Sequence, residues 1–133
     1  MPDLCTYDYA IVRVVPRVER GEFVNAGVIL CCAAADYLHA FVELDEARVR
    51  ALDPSADLLP IRAALDALPV ICAGGDAAGA LGRLTLRERF DWLVAPRSAV
   101  IQTSPVHTGR CADLASAAQQ LLQRMVRKPT PSG

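Results

Sequence analysis

The chain has few aromatic residues, 5% of the total, and only two histidines. It has no Cys-x-x-Cys pair and no apolar run of the roughly 18 residues that a membrane span requires. The apolar stretch from Gly27 to Ala35 meets Asp36 at once, and the N-terminus carries no apolar core of the signal-peptide kind. No membrane partner and a cytoplasmic location are therefore expected, with the thiols reduced. The histidines, His39 and His107, are far apart, and the cysteines lack ligand spacing, which leaves zinc without support and no cofactor expected. Fourteen basic residues stand against fifteen acidic ones. Without a positive excess there is no electrostatic case for nucleic acid. Near-neutral charge also permits a homo-oligomer.

What is present is a packing composition, 53% apolar and rich in Ala, Leu and Val, the opposite of a disordered chain. The length fits a single domain over residues 1–128, with 129–133 expected as a disordered tail. Cys5, Cys31, Cys32, Cys72 and Cys111 are odd in number and read as small core hydrophobes. On a strand, Cys31 and Cys32 would point to opposite faces.

From Tyr7 to Val15 both alternating faces are largely apolar, which predicts a central strand ended by Pro16. The charged stretch that follows, with Gly21, Asn25 and Gly27, reads as a loop in which Asn25 and Gly27 serve turn geometry. Val28 to Ala34 and Tyr37 to Leu44 read as two further strands, joined through Ala35-Asp36, and the short connections predict an antiparallel meander. His39 is expected to be partly buried in the third strand. Asp45 predicts a short helix to Leu52, and Ser55 or Asp57 starts another that Pro69 should stop. Gly74, Gly75, Gly79 and Gly82 read as a flexible connection and lack the ending of a phosphate loop. Thr85 and Glu88 form a capping box for a helix that Ala95-Pro96 terminates. Ala99 to Thr103 reads as a fourth strand, Ser104-Pro105 and Thr108-Gly109 as flanking a turn, and Asp113 as the cap of a final helix. The fold class expected is α+β, an antiparallel sheet of about four strands packed against three or four helices.

The chemistry concentrates between Asp91 and Gly109. Arg97 could present a fork to a carboxylate or phosphate, with Ser98, Gln102, Ser104, His107 and Thr108 as further donors. The plainer alternative has Arg97 paired with Asp91 or Glu88 and the hydroxyls bonded to local backbone. Ser104, His107 and Asp91 also invite a nucleophile, base and orienter reading, but without a nucleophile-elbow context. Arg13, a charge inside an apolar strand, needs either an ionic partner, for which Glu43 is a candidate, or a ligand.

Two segments together, Tyr7 to Pro16 with Gly21 to Val28, and Phe90 to Gly109, resemble the bacterial domain-of-unknown-function family numbered thirty thirty-seven. The residues matching its pattern are Arg13, Glu22, Asn25, Gly27, Arg97, Ser98, Gln102, Ser104 and His107, whereas Ala99 and Arg110 depart from it. The resemblance implies gene neighbourhoods shared with HipA-like kinases of toxin and antitoxin systems, and hence a kinase-like protein partner. The function expected is a non-enzymatic interaction or regulatory module that contacts that partner, or a small anion, through Arg13, Asn25, Arg97, Ser98, Gln102, Ser104 and His107. The alternative is a hydrolase or transferase binding a phosphate- or carboxylate-bearing substrate at the Arg97 to His107 segment.

Overall fold

In the computed structural model, which describes residues 3–129, strand β1 (Cys5–Val14) has partners on both edges. That position follows from its two apolar faces. Ala10, Val12 and Val14 are buried on one side and Tyr7 and Ile11 on the other. Strand β2 (Val24–Cys32) runs antiparallel to β1, and β3 (Tyr37–Val42) antiparallel to β2, which completes the expected meander. The connection between β2 and β3 is a single 3-10 turn, Ala33–Ala35, closed by Asp36 at φ 51°. The second strand thus ends at Cys32 rather than Ala34.

Strand β2 also begins earlier than its composition predicts. Residues 24–27 join the ladder instead of forming a loop, because β1 offers them a backbone edge to pair with. Asn25 is extended rather than left-handed. Val12 pairs with Gly27 and Arg13 with Asn25, so Ala26 is an extra residue, a β-bulge. Gly27 is needed for close approach rather than for a turn, since a Cβ there would collide with the Phe41 carbonyl oxygen.

The other edge of β1 carries two short antiparallel strands in succession, β4 (Ile101–Thr103) on its C-terminal half and β5 (His107–Cys111) on its N-terminal half. The expected turn around His107 to Gly109 is therefore a fifth strand. Ser104 to Val106 join the two with a one-residue change of register, so that 101–111 acts as one bulged edge strand.

One layer over the sheet is made by α1 (Glu46–Leu52), α2 (Leu58–Ala73) and α3 (Leu86–Val94). Asp45, Asp57 and Thr85 cap them, Thr85 within the expected capping box with Glu88. Val49, Leu58, Ile61, Leu65, Phe90 and Leu93 pack on Val12, Val14, Ile29 and Cys31. Helix α2 runs through Pro69 where a stop was expected. The proline removes one N–H, but Leu65 and Cys72 on either side are buried in the core, and that packing outweighs the lost bond. The glycine-rich stretch after α2 is a pair of 3-10 turns over Asp76–Arg83, tied by Gly75 N–H to the Gly82 carbonyl at 3.2 Å, rather than a flexible link.

The opposite face is covered by α4 (Leu114–Leu121), capped by Asp113 and continued by a π-helical stretch, Leu122–Val126. Ala117, Ala118, Leu121, Leu122 and Val126 pack on Tyr7, Ile11, Val28 and Leu30. Cys31 and Cys32 fall in the two different cores, as strand alternation requires. Burial pushes the Cys72 thiol up to about 12, so it stays protonated and packs as a hydrophobe. The architecture is α+β, with helices on both faces of an antiparallel sheet. Of the expected tail, residues 130–133 lie outside the described residues. Among the described residues no single helix is long and apolar enough to cross a membrane.

Candidate functional site

The register of three strands places Asn25, Arg13 and Gln102 side by side, on β2, β1 and β4. Val12 and Val14 face the helices α2 and α3, so Arg13, between them, faces the side covered by α4. The row lies where that covering ends. Asn25 Nδ2 donates to the Met125 carbonyl at 2.8 Å, at the close of the π-helical stretch.

Arg13 does not meet Glu43, which instead receives two hydrogen bonds from Arg127 Nε at 2.9 and 3.1 Å. Its guanidinium lies 4.1 Å over the ring of Phe23, which is itself 44% exposed. Among the described residues it makes no ion pair and no hydrogen bond. Arg13 Nε and Asn25 Oδ1, a donor and an acceptor on register partners, are both buried without a protein partner. Phe23 was not anticipated; its signal was an aromatic in an otherwise polar loop.

The remaining predicted residues have partners within the fold. Ser104 is buried, its N–H donates to the Ile11 carbonyl, and its Oγ accepts the Ile11 N–H, both at 2.8 Å. The hydroxyl then donates to the Pro105 carbonyl at 2.9 Å. It thus supplies the ladder bond that the bulge would otherwise remove. Gln102 Nε2 donates to the Ala99 carbonyl at 2.8 Å. Arg97 meets neither Asp91 nor Glu88. It donates through Nη2 to the Trp92 carbonyl and through Nε to Ala95 at 3.3 Å, and its guanidinium stacks 4.5 Å over the Trp92 ring. Ser98, beside it, is exposed.

His107 is exposed on the edge strand, its ring 5.5 Å from that of Tyr9, its register partner. Tyr9 is four residues along β1 from Arg13, about 13 Å at the strand rise. His107 and Arg13 therefore do not share one small ligand. His39 is exposed rather than partly buried, between Tyr37 and Phe41. Asp91 is bound to Arg87 at 3.2 Å and the Ser104 hydroxyl to Ile11 and Pro105, so neither the serine nor the aspartate of the nucleophile reading is bonded to His107.

Arg87 also donates to Asp8 at 2.6 Å, and Thr108 adds a second hydrogen bond at 2.8 Å. The Arg87 bond holds the Asp8 carboxyl below the ordinary carboxylate range, against a smaller opposing effect of burial. This link ties α3 to β1 and β5. No group of His, Cys, Asp or Glu among the described residues is arranged to hold a metal ion.

With Arg13, Asn25 and Gln102 in one row, the segments that carry the resemblance meet in space. A family model described as protein of unknown function (DUF3037) matches residues 9–126. The chain belongs to that family. No curated protein and no solved structure matches it.

Proposed function

We propose that this DUF3037 chain is a non-enzymatic interaction module of the bacterial cytoplasm that docks an acidic group of a protein partner on Arg13, in the row it forms with Asn25 and Gln102. The observation that supports this reading is the Arg13 guanidinium, stacked on an exposed Phe23 and without an ionic partner among the described residues. A cation held flat against a ring keeps its in-plane N–H donors available for the two oxygens of a carboxylate or phosphate. Asn25 and Gln102 flank it on neighbouring strands, their amide nitrogens held by the Met125 and Ala99 carbonyls. An exposed aromatic beside an arginine is also the composition typical of interface anchors.

The partner we propose is a HipA-like kinase, the class that the family resemblance implies. Titration of such a kinase from the same host into the purified chain tests the reading. Wild-type protein should bind it, Arg13→Ala should weaken binding about tenfold or more, and Arg13→Lys should recover only part, because lysine keeps the charge without the fork. Equal affinity of wild type and Arg13→Ala would remove the row from the interface, and no binding by the wild type would remove the kinase.

A further inference from the structure

On the other side of the sheet, between α2 and the segment that follows α3, lies a cavity of about 560 Å³. Helix α2 lines it with one stripe, Ile61, Ala64, Leu68 and Ile71, opposed by Ala99 and Ile101. The spacing of the four α2 residues puts them on a single helix face. The two alanines leave the space that larger side chains would fill. Such a volume falls within the range of small-molecule sites, which is roughly 300–1,000 Å³.

The polar residues of this cavity are unequal. Arg97 has its Nε and Nη2 donors turned to the Ala95 and Trp92 carbonyls. Asp53 is 8% exposed and lines the cavity. Its Oδ1 accepts from Ser55 N–H at 3.1 Å, Ser55 Oγ–H at 2.9 Å and Arg17 Nη2 at 3.4 Å. Its Oδ2 accepts nothing among the described residues. The Arg17 contact is long, and that side chain is 48% exposed, so it satisfies the carboxylate poorly. A second carboxylate, Asp57, also lines the cavity. The open position in this site is therefore Oδ2 of Asp53, an acceptor of a further positively charged donor beside an apolar wall.

We propose that the cavity binds a small organic amine, its apolar body against the α2 stripe and its protonated nitrogen on Oδ2 of Asp53. An ammonium there forms a charge-assisted hydrogen bond to the carboxylate oxygen that no protein group occupies. A carboxylate would meet two like charges and an arginine already engaged.

The test uses the chain's single tryptophan, Trp92, which lines the cavity and reports occupancy by its fluorescence. Three probes with the same phenylethyl body and different charge, phenethylamine, hydrocinnamate and phenethyl alcohol, are titrated into the full chain. Phenethylamine should saturate the signal with a Kd about tenfold or more below those of the other two, the difference one charge-assisted bond provides. Asp53→Asn should bring the amine to the level of the alcohol. Since that change also touches the turn between α1 and α2, Ala64→Phe serves as a second variant: on an exposed helix position it leaves the fold intact and should abolish binding of the amine. Tighter binding of hydrocinnamate, no saturable signal from the amine, or unaltered amine affinity in Ala64→Phe would each overturn the assignment.

Discussion

Arg13 and Arg97 both stack on an aromatic ring, at 4.1 Å over Phe23 and 4.5 Å over Trp92, yet the protein satisfies the N–H donors of only one of them. Arg97 lies three residues beyond α3, and its fork turns back onto two carbonyls at that end, Ala95 and Trp92, the latter met otherwise only by the long Ala95 N–H bond at 3.4 Å. Arg13 lies in a strand with neighbours on both edges, where the backbone carbonyls already serve the ladder. The same side chain is thus a helix cap in one place and an open cation in the other. What separates them is the supply of unpaired carbonyls nearby, a property of backbone structure rather than of the arginine. Arg87 is a middle case, its partners the carboxylates Asp8 and Asp91.

This comparison can be broken at several points. The largest effect is expected from Ser104→Val, which leaves the buried Ile11 N–H without its acceptor and should cost about 1–3 kcal/mol of stability. Urea denaturation reads it, and an unchanged midpoint would show that the bulge does not depend on the hydroxyl. Kinase binding should be unaltered. Next, Arg97→Ala should cost about 1 kcal/mol through the lost helix-end charge and ring contact, with no change in kinase affinity. A loss of affinity in that variant would mean that Arg97 is not only a cap.

For the middle case the pH dependence has a definite sign. The folded state holds the Asp8 carboxyl below its unfolded value, so the stabilisation is complete above about pH 4 and is lost as pH falls through the folded value. Asp8→Asn should therefore lower the melting temperature at pH 6 by an amount corresponding to about 0.5–1 kcal/mol, and the gap to wild type should narrow as pH falls below about 4. Melts that stay parallel across that range would refute the linkage. The smallest stability effect is expected for Arg13→Ala, within about 0.5 kcal/mol, although it is the variant expected to lose the kinase. A large destabilisation there would turn the open cation into a structural one.

Much of this architecture is legible in the residues themselves, because it depends on neighbours in the chain. The two apolar faces of β1, the Thr85 and Glu88 capping box, the Ala95-Pro96 exit and the Asp113 cap all act within a few residues. They place the strands and helices and so dictate the α+β class. Other features needed partners distant in sequence. Strand β5, His-Thr-Gly-Arg-Cys, has no strand-like pattern and exists because the free edge of β1 supplies hydrogen bonds that ask nothing of its side chains. Ser104 is a turn residue by composition and a ladder substitute by position, since its acceptor role requires Ile11, 93 residues away. Helix α2 passes Pro69 for a similar reason, its buried residues being held by strands encoded elsewhere. The sequence named Arg13, Asn25 and Gln102 separately. Only the pairing of three strands, with one bulge at Ala26 setting the register, decided that they stand in a row, and only the ladder around Arg13 left its charge unmatched.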